Sequence, residues 1–431
     1  MRSLTGLMLL CVSCTASPPR TEAIMRDQRL ACAFAAGAMP KDTLGEDVRL
    51  GDKMPIDHIV LLMQENRSFD HYFSRLEGVR TVGDDLQLTG TDGQPLQRAH
   101  ETRYCVDDIS HNWNAAHRQW NGGANDGFGR VPGKNDPARA LAYYDERDIP
   151  YYYALARTFA VSDMHFASLL GGTWPNRMFY LAGSSYGVIR NTIAPAEDAR
   201  GNPVRTIFEA LDSNGIDFRV YVRADAPSML LFLPTYGRYA DRVVPMDRYF
   251  SDLADGTLPP FAMVEPAFIG QHQNDEHAPT NIQYGQQFTS TAINALIASP
   301  LWRRSALFLS YDENGGFYDS VPPPPACAPD DAPDLEPTSE PGVFDRLGFR
   351  VPMIVVSPFA RRGFVSHRVT DHTSLLRFVE ARFSLPAFTA RDANAEAPFE
   401  MFDFEHPEYD VPALPEAVVD PAADAACKAR R

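Results

Sequence analysis

The sequence predicts an α/β fold, in which a mostly parallel central sheet is covered by helices. Short apolar runs rich in Val, Ile, Leu and Phe recur along the chain, as is typical of strands that are buried on both faces. Helical patterns separate these runs, and the alternation favours a doubly wound, layered sheet. The six predicted strands are residues 58–63, 159–161, 217–222, 261–264, 306–310 and 352–356.

Three helices between these strands are marked by residues that start or stop a helix. The first ends near Gly215, and the second stops before Pro300. The third follows Asp371, whose side chain is suited to cap a helix. The predicted helices are residues 206–212, 289–298 and 374–383.

The composition argues against two classes of partner. The chain has 431 residues, of which 56 are acidic and 40 are basic, and its formal net charge is −16. This charge repels phosphate backbones and anionic bilayers, so we expect no nucleic acid partner. The apolar runs are also far shorter than the roughly 20 residues that a membrane-spanning helix needs.

Residues 1–23 resemble a secretory signal, since an apolar stretch follows Arg2 and small residues follow that stretch. We therefore expect a secreted, periplasmic or cell-envelope protein. Cys14 leaves a lipoprotein as an alternative, although the residues before it depart from the usual pattern. Four cysteines lie beyond this segment, and they suit either two disulfides in an oxidising compartment or four free thiols. They are Cys32, Cys105, Cys327 and Cys427.

Two segments rich in proline and acidic residues interrupt the strand and helix pattern. Residues 322–341 form a loop too long for a plain connection and are predicted to be a lid or a rim. Residues 406–431 are predicted to be a C-terminal tail with a frayed end. Before this tail, an aromatic cluster is expected to dock on the core. Its members are Phe399, Phe402 and Phe404.

Two of the predicted strands end in side chains that carry oxygen atoms. Glu65 and Asn66 follow the first strand, and Asp312 and Glu313 follow a later one. Ligands collect beyond the carboxyl ends of strands in open α/β sheets, and a divalent cation relieves the repulsion between neighbouring carboxylates. Either cluster alone suits a solvated loop or a helix cap, whereas the two together predict a metal site. Oxygen ligands favour Ca²⁺, Mg²⁺ or Mn²⁺, and a histidine would admit Zn²⁺.

Thr173 is the candidate nucleophile. Pro175 places it near the start of a helix, where free amide groups attract an anion. The same spacing fits a plain helix cap, and one residue can serve both roles. His111 and His277 lie in polar, turn-rich stretches and are candidates for acid and base catalysis.

Six blocks of the sequence, in their order, resemble a bacterial phosphoesterase family that contains phosphatidylcholine-type phospholipases C and a branch of acid phosphatases. The first block runs from Ile56 to Phe73 and contains the stretch QENRSFDHYF. The resemblance covers residues 55–405 and implies an alkaline-phosphatase-like, three-layer α/β/α sandwich with a metal site at the strand ends. The other blocks are residues 111–123, 172–177, 275–277, 311–319 and 371–374.

The resemblance also implies roles for individual side chains. Thr173 would be the nucleophile, and His111 and His277 would hold or protonate the phosphoryl oxygens. The phospholipase branch has Thr where the acid phosphatase branch has Ser, so Thr173 favours a phospholipase. Ser320 departs from the family, which often has a histidine there. The implied metal ligands or their neighbours are Glu65, Asn66, Asp312 and Glu313.

Choline carries a quaternary ammonium group, which aromatic rings attract through cation–π interactions. Trp113 and Trp120 are therefore candidates for binding such a headgroup, although most rings of this kind belong to a core. Asn176 and His372 lie in the family-like blocks and complete the predicted substrate-binding set.

These inferences predict a secreted phospholipase C that hydrolyses phosphatidylcholine to diacylglycerol and phosphocholine through a phosphothreonine intermediate. The expected cofactor is one or more divalent metal ions. The expected partner is a phospholipid or a small phosphoester. Such a substrate is compatible with peripheral membrane contact. The sequence leaves the oligomeric state open. Two alternatives are a broad-specificity acid phosphatase and an inactive protein that binds phosphate or a headgroup.

Overall fold

The computed structural model describes residues 20–131 and 137–430. Most of the signal-like segment predicted for residues 1–23 lies outside these ranges. The α-helices are α1 (Glu22–Leu30), α2 (Pro40–Thr43), α3 (Phe69–Phe73), α4 (Trp113–Trp120), α5 (Pro150–Thr158), α6 (Thr173–Ala182), α7 (Ile207–Ser213), α8 (Tyr236–Tyr239), α9 (Met246–Asp255), α10 (Ile282–Ala298), α11 (His372–Phe383), α12 (Ala390–Ala393) and α13 (Pro421–Arg430). Short 3-10 helices lie at Gly51–Lys53, Asn121–Gly123, Gly127–Arg130, Pro137–Leu141, Met229–Phe232, Ala240–Arg242, Trp302–Arg304 and Phe399–Met401.

An eight-stranded sheet forms the centre of the fold, with the strand order β11-β4-β10-β9-β1-β8-β6-β7. Most neighbouring strands are parallel, and β10 runs antiparallel to both of its neighbours. The strands are β1 (His58–Gln64), β2 (Gln87–Thr89), β3 (Pro95–Gln97), β4 (Ala160–Ser162), β5 (His165–Phe166), β6 (Phe218–Val222), β7 (Val243–Pro245), β8 (Phe261–Val264), β9 (Ser305–Tyr311), β10 (Met353–Val356), β11 (Phe364–Ser366) and β12 (Thr370–Asp371).

All six predicted strands are confirmed within two residues at each end, and all six belong to the central sheet. Their side chains are almost entirely buried, because helices cover both faces of the sheet. The helix predicted for residues 289–298 is longer than expected and begins at Ile282. The side chain of Asn281 accepts a hydrogen bond from the backbone N–H of Gln283 and caps this helix.

The two faces of the sheet carry different helices. Gln64 in β1 donates from Nε2 to Oγ1 of Thr289 in α10 at 2.9 Å, and α10 packs against α5 and α9. On the opposite face, the rings of Phe308 in β9 and Phe378 in α11 lie 5.0 Å apart, and α11 packs against α6. Gln64 pairs with Tyr311, three residues beyond Phe308, so the alternation of side chains sends Phe308 to the other face. The predicted three-layer sandwich is thereby confirmed.

Disulfides hold both ends of the described chain. Cys32 pairs with Cys327, and Cys105 pairs with Cys427 in α13. The Oη of Tyr284 also donates to Asp424 in this helix at 2.7 Å. The expectation that the C-terminal end frays is therefore wrong, because covalent and polar contacts fix α13. The aromatic cluster docks as expected, and the rings of Phe402 and Phe378 lie 5.0 Å apart.

The proline- and acid-rich loop at residues 322–341 lies against α4. Trp113 and Asn114 at the start of this helix donate hydrogen bonds to the carbonyl oxygens of Glu340 and Thr338. In the two described ranges, no helix is both long enough and apolar enough to cross a bilayer.

Candidate active site

Three neighbouring strands deliver carboxylates to one edge of the sheet. β1 lies between β8 and β9 and runs parallel to both. Glu65 follows β1, Glu265 follows β8, and Asp312 and Glu313 follow β9. All four side chains are buried. Glu265 is not among the predicted site residues, although it shows the same pattern as the others, an acidic residue directly after an apolar strand.

The ends of β1 and β9 are joined through Asp312. Its Oδ1 accepts a hydrogen bond from the backbone N–H of Asn66 at 3.0 Å and another from that of Glu313 at 2.7 Å. Asn66 has a φ of 62°, a left-handed conformation that asparagine tolerates better than most residues. A Cβ on Gly315 would lie 2.3 Å from the Asn66 carbonyl oxygen. Only glycine therefore lets the loop after β9 pass so close to Asn66.

Arg177 lies between the two acidic strand ends. Its Nη2 is 3.3 Å from Oε1 of Glu65, and its Nε is 3.3 Å from Oδ2 of Asp312. The side chain is buried and also packs over the ring of Phe268 at 4.8 Å. Burial lowers the pKa of Arg177, but the charges of Asp312 and Glu65 outweigh it, so the pKa is raised overall.

Three glutamates at this edge have pKa values raised above the ordinary value. Burial raises the pKa of Glu65 well above its ordinary value, and the charges of Asp312 and Asp275 raise it further. The pKa of Glu313 is raised for the same reasons, with burial first and the charge of Asp312 second. Burial also raises the pKa of Glu265 to about 7. The single positive charge of Arg177 therefore does not balance the negative charges that these carboxyl groups would carry if all were ionised.

Two of the four predicted metal ligands carry side-chain oxygens that would suit a divalent cation. Oδ1 of Asn66 and Oε1 of Glu313 are buried and have no hydrogen-bond partner among residues 20–131 and 137–430. Unpaired buried acceptors are costly, and a cation would satisfy both of them. Both residues also face His111, whose Nε2 lies 3.2 Å from Nδ2 of Asn66 and 3.7 Å from Oε1 of Glu313. The donor set of carboxylate and amide oxygens is typical of Ca²⁺, Mg²⁺ or Mn²⁺.

The two predicted catalytic histidines lie together. The ring centroids of His111 and His277 are 5.6 Å apart. Nδ1 of His111 is 2.6 Å from the carbonyl oxygen of Ile109, and Nδ1 of His277 is 2.6 Å from that of Ala278. Backbone carbonyls therefore take the Nδ1 protons. Nε2 of His111 then accepts from Nδ2 of Asn66, and Nε2 of His277 is left for a ligand or a proton.

Asp108 joins these histidines, and the analysis of the sequence missed it. The ligand atoms of Asp108, His111 and His277 lie within 4.8 Å of one another. Asp108 stands three residues before His111, and its Oδ1 is 3.6 Å from Nδ1 of that ring. The imidazole and carboxylate groups thus extend the site beyond the strand-end carboxylates.

Thr173 is the first residue of α6, and the cap of this helix is Gly172. The expectation that Thr173 stands near the start of a helix is confirmed, but the capping position belongs to the glycine. Arg177 lies four residues later on the same helix, and side chains at this spacing share a helix face. Thr173 therefore shares one face of α6 with the arginine that contacts Glu65 and Asp312.

Asn176 stabilises the loop before Thr173. Its Oδ1 accepts from the backbone N–H of Leu169 at 3.0 Å, and its Nδ2 donates to the carbonyl oxygens of Gly171 and Gly172 at 3.2 and 3.1 Å. The side chain is fully buried. Its polar atoms are therefore engaged by this loop, which differs from the substrate contact expected for it.

The tryptophans expected to bind a headgroup are engaged by other side chains. Trp113 packs against His117 and Phe344 in the core, and its Nε1 donates to the carbonyl oxygen of Glu340 at 2.9 Å. The guanidinium of Arg346 lies 4.7 Å from the ring centroid of Trp120. A cation therefore already occupies one face of this ring.

His372 is also buried away from solvent. Its Nε2 lies 2.9 Å from the carbonyl oxygen of Tyr311, the last residue of β9. Burial lowers its pKa. The structure thus places His372 at the strand end just before Asp312, as support for that strand end, which differs from the predicted contact with substrate.

A buried carboxylate, Glu276, separates Asp275 from His277. It accepts hydrogen bonds from the hydroxyl groups of Tyr72 at 2.6 Å and Tyr311 at 2.9 Å, and from that of Tyr152. Its φ is 70°, an uncommon conformation for glutamate. The tyrosines therefore hold a turn that presents Asp275 and His277 on either side.

The backbone of α10 passes close to this turn. A Cβ on Gly285 would lie 2.1 Å from Cγ of Glu276, so only glycine fits at this position. Beside it, burial raises the pKa of Asp275 to about 8 against the hydrogen bonds that it accepts from Gln273. The turn thus adds a further carboxyl group with a raised pKa to the site.

Ser320, where the resemblance expects a histidine, has a structural role. Its backbone N–H donates to Oδ2 of Asp70 at 2.8 Å, and its Oγ accepts from Nη2 of Arg350 at 3.1 Å. Arg350 is buried between Asp70 and Asp319. The hydroxyl of Ser320 thus completes a buried charge network and offers no imidazole to the site.

Comparison with known proteins gives similar chains over most of the length. A family model described as "Phosphoesterase family" matches residues 56–386. Phospholipase C B of Mycobacterium tuberculosis is 33% identical over 448 aligned positions, which cover 87% of this chain and 81% of that protein. Non-hemolytic phospholipase C of Pseudomonas aeruginosa is 32% identical over 395 positions, which cover 78% of this chain but only 55% of that protein.

Among solved structures, a protein in the alkaline phosphatase superfamily from Vibrio parahaemolyticus aligns with this chain. The alignment covers 85% of this chain and 76% of that one, with 10% sequence identity and a TM-score of 0.40.

Proposed function

We propose that this chain, which belongs to the Phosphoesterase family and is a phosphoric ester hydrolase, acts as a phospholipase C on phosphatidylcholine. The observation that carries the proposal is the position of Arg177. It contacts Glu65 and Asp312 from the helix that begins at Thr173, so one helix joins the candidate nucleophile to the acidic strand ends through a buried arginine. This arrangement suits transfer of a phosphoryl group to the threonine.

The proposed cation site consists of side-chain oxygens at the ends of β1 and β9. The two unpaired buried acceptors, Oδ1 of Asn66 and Oε1 of Glu313, support it, as do the raised pKa values of Glu65 and Glu313. A divalent cation there would lower the pKa of the attacking hydroxyl and draw charge from the phosphoryl oxygens. The proposed ligands are Glu65, Asn66, Asp312 and Glu313.

The proposed reaction has two steps. Thr173 reacts as the alkoxide, after its hydroxyl proton has passed to solvent. In the first step, its Oγ1 bonds to phosphorus while the bond to the diacylglycerol oxygen breaks, and Nε2 of the protonated His277 gives a proton to that oxygen. In the second step, the neutral His277 takes a proton from water, whose oxygen bonds to phosphorus while the bond to Oγ1 breaks, so that phosphocholine leaves and the Thr173 alkoxide is restored. His111 contacts the phosphoryl oxygens. General acid and base catalysis of this kind contributes typically about 10²–10⁴-fold.

The choice of substrate rests on three observations. The curated relatives named above are phospholipases C, and the candidate nucleophile is a threonine rather than a serine. The formal net charge of −16 suits a zwitterionic headgroup better than an anionic one. A broad acid phosphatase is the competing assignment, and it differs in releasing inorganic phosphate rather than phosphocholine.

Export from the cytoplasm is part of the proposal. The two disulfides, Cys32–Cys327 and Cys105–Cys427, are typical of proteins in an oxidising compartment. Together with the signal-like residues 1–23, they support secretion or location in the periplasm. Detection of both disulfides in the natively produced protein would test this part of the proposal.

The decisive experiment compares three substrates, with and without a chelator: phosphatidylcholine, sphingomyelin and p-nitrophenyl phosphate. We expect phosphocholine from phosphatidylcholine and loss of that activity with the chelator. Release of phosphate from p-nitrophenyl phosphate at an equal or greater rate would instead favour the phosphatase. Chelator-resistant activity would contradict the cation site.

The covalent step is tested by variants of the nucleophile. Thr173→Val should abolish turnover while leaving the melting temperature unchanged, and Thr173→Ser should keep activity. Acid quenching of His277→Gln during turnover should leave a phosphoryl group on the peptide that contains Thr173. Thr291→Val, which alters an exposed threonine in α10, is the matched control. A folded, fully active Thr173→Val would overturn the mechanism.

A further inference from the structure

Three loops around the start of α6 each turn a large aliphatic side chain toward solvent. Ile193 is 66% exposed, Leu231 is 45% exposed and Ile269 is 62% exposed. Each lies in a segment that follows α6, β6 or β8. We call these three side chains the apolar rim.

The first two loops are bonded to each other beside the proposed nucleophile. The backbone N–H of Ala194 donates to the carbonyl oxygen of Phe232 at 2.9 Å, which brings the loops of Ile193 and Leu231 together. The ring of Phe232 lies 5.0 Å from that of Trp174, the residue after Thr173. These two loops therefore flank the start of α6.

The third loop is joined to the second and to the site. The backbone N–H of Met229 donates to Oε2 of Glu265 at 3.2 Å, which ties the loop of Leu231 to the end of β8. Phe268, next to Ile269, packs against the guanidinium of Arg177 at 4.8 Å. All three members of the apolar rim thus stand on segments that contact the residues around Thr173.

Two arginines near the rim form ion pairs with acidic side chains. Arg190 is 2.8 Å from Glu336, which belongs to the proline- and acid-rich loop. Arg223 is 2.5 Å from Asp225 in the loop that carries Leu231. Apolar side chains beside paired charges suit binding to a surface without net charge. The protein's formal net charge of −16 opposes binding to an anionic surface.

We propose that the apolar rim is the surface that contacts an aggregated zwitterionic phospholipid, such as a phosphatidylcholine bilayer. This inference rests on the proposed function, because a phospholipase must reach the phosphoester below the lipid surface. Insertion of Ile193, Leu231 and Ile269 among the acyl chains would hold the start of α6 against the headgroups. Burial of aliphatic side chains is favourable in proportion to the area removed from water.

The test uses the triple variant Ile193→Ser, Leu231→Ser, Ile269→Ser. Its matched control is Ile24→Ser, Leu30→Ser, Val418→Ser, which changes three aliphatic side chains that are likewise exposed but lie in α1 and the C-terminal segment. Binding is measured by sedimentation with phosphatidylcholine vesicles. Activity is measured on the same vesicles and on a short-chain, monomeric phosphocholine ester.

We expect the affinity of the rim variant for vesicles and its rate of vesicle hydrolysis both to fall by at least about 100-fold. Each inserted aliphatic side chain should contribute about tenfold to the affinity, and at least two are expected to insert. Hydrolysis of the monomeric ester should stay within about twofold of the unmodified protein. The control variant should match the unmodified protein in all three measurements.

Two results would overturn the inference. One is vesicle binding by the rim variant that equals that of the unmodified protein. This result would overturn the inference even if sedimentation velocity showed that the substitutions dissociate a dimer of the protein. The other is an equal loss on vesicles and on the monomeric ester, which would indicate damage to the site. Loss of vesicle binding in a protein that hydrolyses neither substrate would support the rim and refute the proposed function, so the two failures are distinguishable.

Discussion

Nε of Arg177 lies 3.3 Å from Oδ2 of Asp312, and both groups are buried. The same guanidinium reaches Glu65, so a single side chain of α6 joins the ends of β1 and β9. This contact sets the helix that begins at Thr173 against the acidic edge of the sheet. It also makes Arg177 the main positive charge among several buried carboxyl groups.

Replacement of Arg177 should destabilise the fold strongly. Arg177→Ala leaves buried carboxylates without their partner, and we expect the free energy of unfolding to fall by about 3–5 kcal/mol. Arg130→Ala is the matched control, since its ion pair with Asp126 is exposed and should contribute less than about 1 kcal/mol. Urea unfolding measures both. Equal losses in the two variants would show that the buried pair has no special role.

Cation binding should stabilise the protein more at pH 8 than at pH 5. Burial raises the pKa of Asp275 to about 8 and those of Glu65 and Glu313 well above their usual values. The folded state therefore binds more protons than the unfolded chain, and stability falls as the pH rises from about 4 toward 8. A divalent cation pairs with the ionised carboxylates and offsets this loss of stability. At a cation concentration 100 times its Kd, binding adds about 2.7 kcal/mol to the free energy of unfolding.

Melting scans with a chelator or with Mn²⁺, Mg²⁺ or Ca²⁺ at both pH values measure this effect. Asp275→Asn cannot ionise, so its stability without a cation should depend less on pH. A cation effect of the same size at pH 5 and pH 8 would argue against the strand-end carboxylates as ligands.

Loss of the charge on Glu276 should slow catalysis without unfolding the protein. Glu276→Gln offers weaker acceptors to Tyr72 and Tyr311, so the turn that holds Asp275 and His277 should become less ordered. We expect kcat to fall by about 10–100-fold, as for other residues that orient functional groups through hydrogen bonds.

Tyr152→Phe removes one donor to Glu276 and should show a smaller loss than Glu276→Gln. Its neighbour Tyr151 donates to Asn294 instead, which makes Tyr151→Phe the matched control. Steady-state kinetics and melting curves measure all three variants. If Tyr151→Phe and Tyr152→Phe slow turnover equally, the contact with Glu276 is not the cause.

Asn176 should affect the rate through the loop that precedes Thr173. Asn176→Ala removes the hydrogen bonds to Leu169, Gly171 and Gly172. A displacement of the nucleophile by about 1 Å can cost about 100-fold in rate, so we expect a loss of this order in kcat with little change in KM. Asn114→Ala, which removes hydrogen bonds to Thr338 and Glu340 and does not touch the loop before Thr173, should leave kcat unchanged. A rise in KM alone would indicate that Asn176 contacts the substrate.

Local patterns were sufficient to predict the strands, the layered fold and the acidic strand ends. An apolar run followed directly by Glu65 or by Asp312 is visible in the sequence, because strand burial and strand termination are set by neighbouring residues. Glu265 follows the same pattern and could have been found in this way. The start of a helix at Thr173 was also predictable, since Pro175 restricts the backbone locally.

Tertiary structure alone decided which side chains meet. The partners of Arg177 lie 112 and 135 positions away in the chain, and the donors to Glu276 come from two helices and a strand. The sequence predicts Trp113 as a ligand-binding ring, because composition does not show which rings a core will cover. Such contacts depend on how helices pack against the sheet, and packing is a property of the whole chain. The sequence by itself therefore determined the elements and the kind of chemistry, whereas the fold determined the geometry in which that chemistry can occur.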